Sequence, residues 1–377
     1  VAAGLFVTTL RNLWNVTLGF NHQNVLLINY DSRGKVPKGQ RAEHFARIQE
    51  RLLHVPGVIS AGATMITPIS GSAWNGNLLR EGVPMPPPSE ADRGEMTYFN
   101  RVSPGFFETL KSPVRMGRDF SDRDSLNSPR VMIIGQKTAR ALFGDESPIG
   151  KRVQMAGGPD EPELYEVIGV APDSKYVRIN EETRRTAYVA MAQDANPWGD
   201  RTFMVRTASP NFDTIRPAIA AAIAEVAPGS SIEFRSLEHQ VTSSLSQQRL
   251  IAGLVSFFGA LALLLAIVGL YGVTAYAAAQ RKGEIGIRMA LGAQRGSVIW
   301  LVLRDVAIIL MIGSVVGIAL SFGAGKLIAS LMYGVKPGDP TTLIIAAALL
   351  ATAGAIAGFI PAFRASKQDP AIALRYE

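Results

Sequence analysis

Histidine chemistry has four candidates in this chain, His22, His44, His54 and His239, and none stands at metal-ligand spacing from another. Three aspartates, Asp119, Asp122 and Asp124, crowd the stretch GRDFSDRDS and invite a cation reading. An EF-hand loop requires a central Gly and a distal Glu at set positions; neither fits, so a solvated turn is expected. No GxxxxGK[ST] occurs, which excludes ATP binding by a P-loop. GxSxG is absent, and no Ser/His/Asp set stands out by spacing. Without cysteine there is neither a thiolate metal site nor a disulfide. The expectation is a protein without catalytic residues, metal or cofactor of its own.

What remains is a concentration of basic residues. The stretch RKGEIGIRMALGAQRGSVIWLVLRD, residues 281–305, holds Arg281, Lys282, Arg288, Arg295 and Arg304 against Glu284 and Asp305. Residues 250–280 before it and 306–325 after it carry no charge. Glu284 and Arg288 are spaced i,i+4, where an ion pair stiffens a helix by about 0.2–0.5 kcal/mol. Ile285 and Met289, with Leu291 or Gly292, fall on one side of a short helix. Two readings stay open on this pattern: a surface that meets a cytoplasmic partner, or an interfacial helix that only connects two spans.

The elements that position this segment follow from composition. Apolar residues make up 47% of the 377 positions and charged residues 18%. A soluble chain carries about a quarter charged residues, so a membrane protein with a large soluble part is indicated. The net charge of +7 sits largely beside apolar runs, which fits a positive-inside bias better than a nucleic-acid face. Residues 250–280, 306–325 and 340–363 are uncharged and long enough to cross about 30 Å of hydrocarbon. Spans are therefore predicted at 250–276, 306–326 and 341–363. The uncharged runs themselves hold no Asp, Glu, Lys, Arg or His, which argues against an ion or proton relay through them. The 281–305 loop has five Lys/Arg and the tail has Arg364, Lys367 and Arg375, against Lys326 and Lys336 between them. That asymmetry puts the 281–305 loop and the C-terminus in the cytoplasm and the soluble part outside. Residues 1–20 read as the end of a truncated fourth membrane helix and a linker. Gly313–Gly317 and Gly354–Gly358 have the GxxxG spacing that allows close helix approach.

The soluble part is placed at residues 21–249. VLLINY (25–30) has strand composition, residues 41–55 set Phe45, Ile48, Leu52 and Val55 at helical spacing, and VISAGAT (58–64) follows Pro56-Gly57 as a strand. The same syntax recurs downstream. A strand at 203–206 precedes a helix with Asp213 as N-cap and Ile215, Ile219, Ile223 and Val226 as its stripe; SIEF (231–234) follows Pro228-Gly229. Two such βαβ halves suggest a split ferredoxin-like unit. The middle, about residues 96–192, is expected as an inserted α/β lobe with VMIIG (131–135), a helix at 136–143 and YEVIGV (165–170). Residues 71–94 are expected as an exposed loop. The fold class is thus an α+β extracytoplasmic domain plus a bundle of three membrane helices and a truncated fourth.

At these residues the chain resembles a family. GEIGIRMALGAQRGSVIWLVLRD is similar to the cytoplasmic coupling segment of FtsX-like, MacB-type ABC transporter permeases, and PAFRASKQDPAIALRYE to their C-terminus. VSPGFFETLKSPVRMGRDF, SPIGKRV and YEVIGVAPDSK resemble their extracytoplasmic domain. The resemblance implies a MacB-like core domain with a porter-like half and an inserted lobe, and an FtsX-like permease domain at 250–377. It implies a bacterial inner-membrane protein that passes ATP-driven motion from a cytoplasmic ABC ATPase to its periplasmic domain, for efflux or extraction of a substrate. Glu284, Ile285, Arg288, Met289 and Gly292 would then form the ATPase-coupling helix. Further implied partners are a second permease half or a second copy, the lipid bilayer and a periplasmic adaptor, with no nucleic acid. A complete MacB-type subunit has four spans, and AAGLFVTTLRNLWNVTLGF resembles the junction inside duplicated permeases, of which this chain would be the second half. A second reading within the resemblance is an FtsX-like signalling scaffold that controls a periplasmic partner such as a cell-wall hydrolase.

Overall fold

Strand β1 (Val25–Asp31) is apolar on both faces, and Val25, Leu26, Leu27 and Ile28 are all buried. Helix α2 (Arg41–Leu53) lays Phe45, Ile48 and Leu52 against it at a helical repeat. Gly57, at φ +93°, then turns the chain into β2 (Val58–Thr64). The downstream copy of this pattern is β11 (Asp200–Thr207), α5 (Arg216–Val226) and β12 (Ile232–Ser236). Its helix starts later than the sequence suggests. Ile215, not Asp213, is the N-cap, and the Asp213 carboxylate is taken by Arg216 at 3.0 Å. The four strands run β12-β1-β11-β2, every neighbour antiparallel. Both helices share one core with the sheet, including Ile28, Ile48, Leu52, Phe203, Val205, Ile219 and Ile223. Each such side chain, fully buried, contributes roughly 1.5–3 kcal/mol.

The sheet of the computed structural model continues from β2 as β5-β10-β7-β9-β8-β4. These are β3 (Asn75–Gly76), β4 (Leu78–Arg80), β5 (Thr97–Val102), β6 (Met116–Gly117), β7 (Val131–Gly135), β8 (Arg152–Met155), β9 (Glu163–Ala171) and β10 (Arg185–Ala190). Short helices α3 (Phe106–Thr109) and α4 (Gln136–Phe143) interrupt them. A second core, with Phe99, Met132, Ile134, Phe143, Val167 and Val189, lies on this part of the sheet. One registered pair, Thr64 with Val102, joins β2 to β5. The buried Asn100 side chain reinforces the seam by bonding Thr64 Oγ1 and both backbone groups of Ile66. The expected exposed loop at 71–94 is only partly one: β3 pairs with β5 and β4 with β8, and Leu78 is buried. Strands this short carry no alternation that a sequence window can detect.

The structure describes all residues except 1, 15, 34, 85–95, 156–162, 196, 282–286, 288–290, 292–293, 329–339 and 367–377. It divides into the unit Val16–Leu245, built as above, and a helical unit of Val1–Asn15 with Ser246–Glu377. The helical unit holds α1 (Ala2–Trp14), α7 (Ser246–Gln280), α8 (Arg295–Ile328) and α9 (Pro340–Ser366). Three stretches among the described residues are long and apolar enough to cross a membrane: Leu237–Gln280, Ile299–Ser321 and Thr341–Arg364. At 35 and 34 residues, α7 and α8 are each about 50 Å long and outrun a hydrocarbon core of about 30 Å. Residues from Arg295 onward therefore belong to α8, although their charges read as part of a loop. Charge interrupts hydropathy but not helicity, because Arg and Leu are both good helix formers.

Candidate functional site

The five residues expected to form the coupling helix, Glu284, Ile285, Arg288, Met289 and Gly292, lie outside the described residues. Their immediate surroundings are described. Ile287 and Leu291 are 52% and 82% exposed, and the Leu291 amide donates to the Ile287 carbonyl at 3.0 Å, the reach of one helical turn. These two exposed apolar side chains, i,i+4, lie on one side of that turn. At the ends of the segment, Arg281 Nη1 lies 2.8 Å from Asp305 Oδ2. Nearby, Arg364 of α9 donates to the Tyr271 hydroxyl of α7 at 3.3 Å.

The other structured feature is where the soluble unit receives its connections. Residues 16–24 follow α1 in sequence and are bonded deep into the domain. Lys175 N donates to Leu18 O at 2.9 Å, Ser112 Oγ to Gly19 O at 3.0 Å, and Asn21 N to Leu110 O at 2.8 Å. Gly19 has φ +83°, and a Cβ there would stand 2.3 Å from Asp173 O, so glycine alone fits. Arg206, on β11 and 3% exposed, closes the set. Its Nε donates to Thr109 O, Nη1 to Gln23 O and Nη2 to Asn21 O, all within 2.8 Å. A guanidinium offers five donors in a fixed fork, so one side chain holds three carbonyls at a defined geometry. Burial lowers the Arg206 pKa from its ordinary value.

The loop Asp173–Ser174–Lys175 serves the same connector. Both Asp173 carboxylate oxygens accept from Lys137 N, at 2.9 and 3.1 Å, which caps α4. Burial raises the Asp173 pKa, against the opposing effect of that amide bond. On the outgoing side, α6 (Leu237–Ser243) is capped by Ser236 Oγ, which accepts from His239 N. The buried Gln240 Nε2 donates to Thr67 Oγ1 and Pro68 O, both at 2.8 Å, and Leu245 is 1% exposed. Both connectors are thus internal parts of the domain.

The aspartate-rich turn is solvated at Asp122, as expected, but not at Asp124. Asp124 is buried, and its two oxygens are gripped by Arg118 at 2.7 and 2.8 Å and by Ser121 N. Burial alone would raise the Asp124 pKa; the Arg118 and Ser121 bonds outweigh it and lower it. Asp119 turns instead to Phe120 N, and burial raises its pKa. Among the described residues no three His, Cys, Asp or Glu converge on a metal position. Sequence reasoning missed Arg206 and Gln240. The available signal was an arginine in the otherwise buried run FMVR, since a charge is rarely buried unless its donors are met.

A family model of the MacB-like periplasmic core domain matches residues 4–248. The chain belongs to the FtsX-like, MacB-type family of ABC transporter permeases. The FtsX-like permease C-terminal model matches residues 256–370 of this permease. It is 27% identical over 319 residues to "Macrolide export ATP-binding/permease protein MacB" of Bdellovibrio bacteriovorus, covering 77% of this chain and 47% of that protein. To "Uncharacterized ABC transporter permease YknZ" of Bacillus subtilis it is 28% identical over 288 residues, covering 74% and 70%. The permease spans about half the length of the MacB relatives it matches. Among solved structures, the extracellular domain of YknZ from Gram-positive bacteria is similar at 22% identity and TM-score 0.36, over 56% of this chain and 98% of that one. The periplasmic region of MacB from Actinobacillus actinomycetemcomitans is similar at 14% identity and TM-score 0.38, over 61% and 94%.

Proposed function

We infer that this permease transmits motion from a cytoplasmic ABC ATPase to its periplasmic domain, where the motion is used to export or extract a substrate. The observation that carries this reading is the way residues 16–24 and 236–245 are built into the domain by buried, backbone-directed hydrogen bonds. A displacement delivered at either connector reaches the whole sheet, because a close-packed interior transmits strain and does not absorb it. Membrane helices without ionisable residues at mid-depth suit a lever better than a channel. The antiparallel order β12-β1-β11-β2, with α2 and α5 on one face, supports a split ferredoxin-like porter half carrying residues 96–192 as an insert.

On this reading residues 281–305 face the cytoplasm of a bacterial cell, and Glu284, Ile285, Arg288, Met289 and Gly292 dock the ATPase, joined by the exposed Ile287 and Leu291. A second permease half or a second copy completes the transporter. The test is recovery of an ABC ATPase with the full-length protein from its own cells, in detergent, with and without Glu284→Lys. Recovery at least fivefold lower with the variant is expected. Undiminished recovery with Glu284→Lys rejects the docking role.

A further inference from the structure

Asp305 is the one acidic side chain among the described residues of α7, α8 and α9. Beyond it α8 runs into the uncharged residues 306–325, so this carboxylate stands at the edge of the apolar stretch. Arg281 answers it at 2.8 Å, with both side chains 45% exposed. The pair closes 24 residues of sequence, and those residues are the candidate coupling segment.

How α7 and α8 meet elsewhere gives the pair its weight. Helix α9 packs along both of them, whereas α7 and α8 approach one another directly over a short stretch. At mid-length they are separated by an apolar cavity of about 390 Å³, lined by Ile267 and Leu270 of α7, Ile309 and Gly313 of α8, and Gly354 of α9. Their direct approach lies at the segment's base, where Val273, Ala277 and Arg281 face Leu301, Asp305 and Ile309 around a void of about 40 Å³. Here, among the described residues, a charge-assisted hydrogen bond gives the helices a directional link beside non-directional apolar contacts.

A segment hung from two unlinked helices spends a push by changing the distance between its ends. A segment with linked ends passes the push to both helices together. We propose that Arg281 and Asp305 form a latch that closes the base of residues 281–305, presents the segment to the ATPase and makes α7 and α8 respond as one body. The proposal rests on the coupling reading above. It assigns a positioning role to two residues that need not touch the partner.

The chain's lack of cysteine makes the test direct. Gln280→Cys and Arg304→Cys, both at exposed positions, carry nitroxide labels in the full-length protein in lipid nanodiscs. One narrow inter-label distance is expected in the parent, a broad distribution with Asp305→Asn or Arg281→Gln, and a narrow one again in the swap Arg281→Asp with Asp305→Arg. Recovery of the ATPase should fall about threefold to tenfold in either single variant and return in the swap. Should Arg281→Gln fail to fold, the isosteric Asp305→Asn carries the test. A narrow distance in the singles, or no return in the swap, overturns the latch. Broad distances with undiminished ATPase recovery overturn its positioning role. Glu284→Lys run alongside reports on the docking reading separately, since it changes neither Arg281 nor Asp305.

Discussion

The two units of this permease treat apolar side chains in opposite ways. In the soluble unit Ile28, Ile48, Phe203 and Met132 are fully buried, and buried polar side chains tie its connectors down. In the helical unit Phe257, Leu265, Leu320 and Ile344 are 60% exposed or more. The most apolar windows of α7 and α8 are each 6% buried within the chain and that of α9 is 22%. A bilayer accepts such surfaces, so the hydrophobic effect gives membrane helices no reason to associate, and close packing at small residues must do so. The two GxxxG pairs show the difference. A Cβ on Gly354 would stand 2.4 Å from Leu310, and one on Gly358 2.9 Å from Val306, so α9 seats on α8 there. Gly313 and Gly317 have nothing within 4 Å, and Gly313 borders the apolar cavity between the helices. Order in the soluble unit thus comes from its core and buried polar bonds, and in the helical unit from a few contacts at glycine.

The sharpest way to break this contrast is Arg206→Met. It leaves the carbonyls of Asn21, Gln23 and Thr109 without their donor inside the domain. Each unmet buried carbonyl costs about 1–3 kcal/mol. A loss of about 3–5 kcal/mol is expected, which lowers Tm by roughly 10 °C for a domain of this size, read by thermal unfolding of the full chain in nanodiscs. An unchanged Tm would show that the connectors are not held as described.

A smaller effect separates the two glycine pairs. Gly354→Leu forces α9 off α8 and should destabilise the helical unit by about 1–3 kcal/mol. Gly313→Leu, with open space around it, should stay within about 0.5 kcal/mol. Urea unfolding in detergent, followed by circular dichroism, compares them. Equal losses would mean that α8 is packed on both sides.

The smallest expected effect is a pH dependence of the soluble unit. His44 Nε2 lies 2.6 Å from the Tyr30 hydroxyl, and burial, with Arg47 nearby, lowers its pKa below the ordinary 6.5. The folded state then binds fewer protons than the unfolded state, so stability rises with pH. Its contribution is complete above pH 6.5 and declines as pH falls through that value toward the folded pKa. His44→Gln should flatten the dependence of Tm on pH between 7 and 5 by removing the titrating group. A slope unchanged by the substitution assigns the dependence elsewhere.

Composition and periodicity along the chain were enough to locate β1, α2, β2, β7 and α4, because their apolar runs or helical repeats are clear and Pro56-Gly57, Gly135 and Gly144 close α2, β7 and α4. It was enough also for three spans, since an uncharged run of that length has few other uses. It could not supply the helix start at Arg216, where Asp213 looked like a cap and instead pairs with an arginine. Nor could it supply the strand pairing of residues 75–80, which comes from partners far along the chain.

For the candidate site the division is similar. The charge pattern of residues 281–305 and its family resemblance are properties of sequence alone. That Arg281 meets Asp305, that Gly354 and not Gly313 is a packing glycine, and that Arg206 gathers carbonyls from residues 21, 23 and 109 were decided by the tertiary structure. The reason is physical. Composition and spacing report what a residue prefers, whereas a hydrogen bond or a close approach depends on which distant backbone the fold brings within 3 Å.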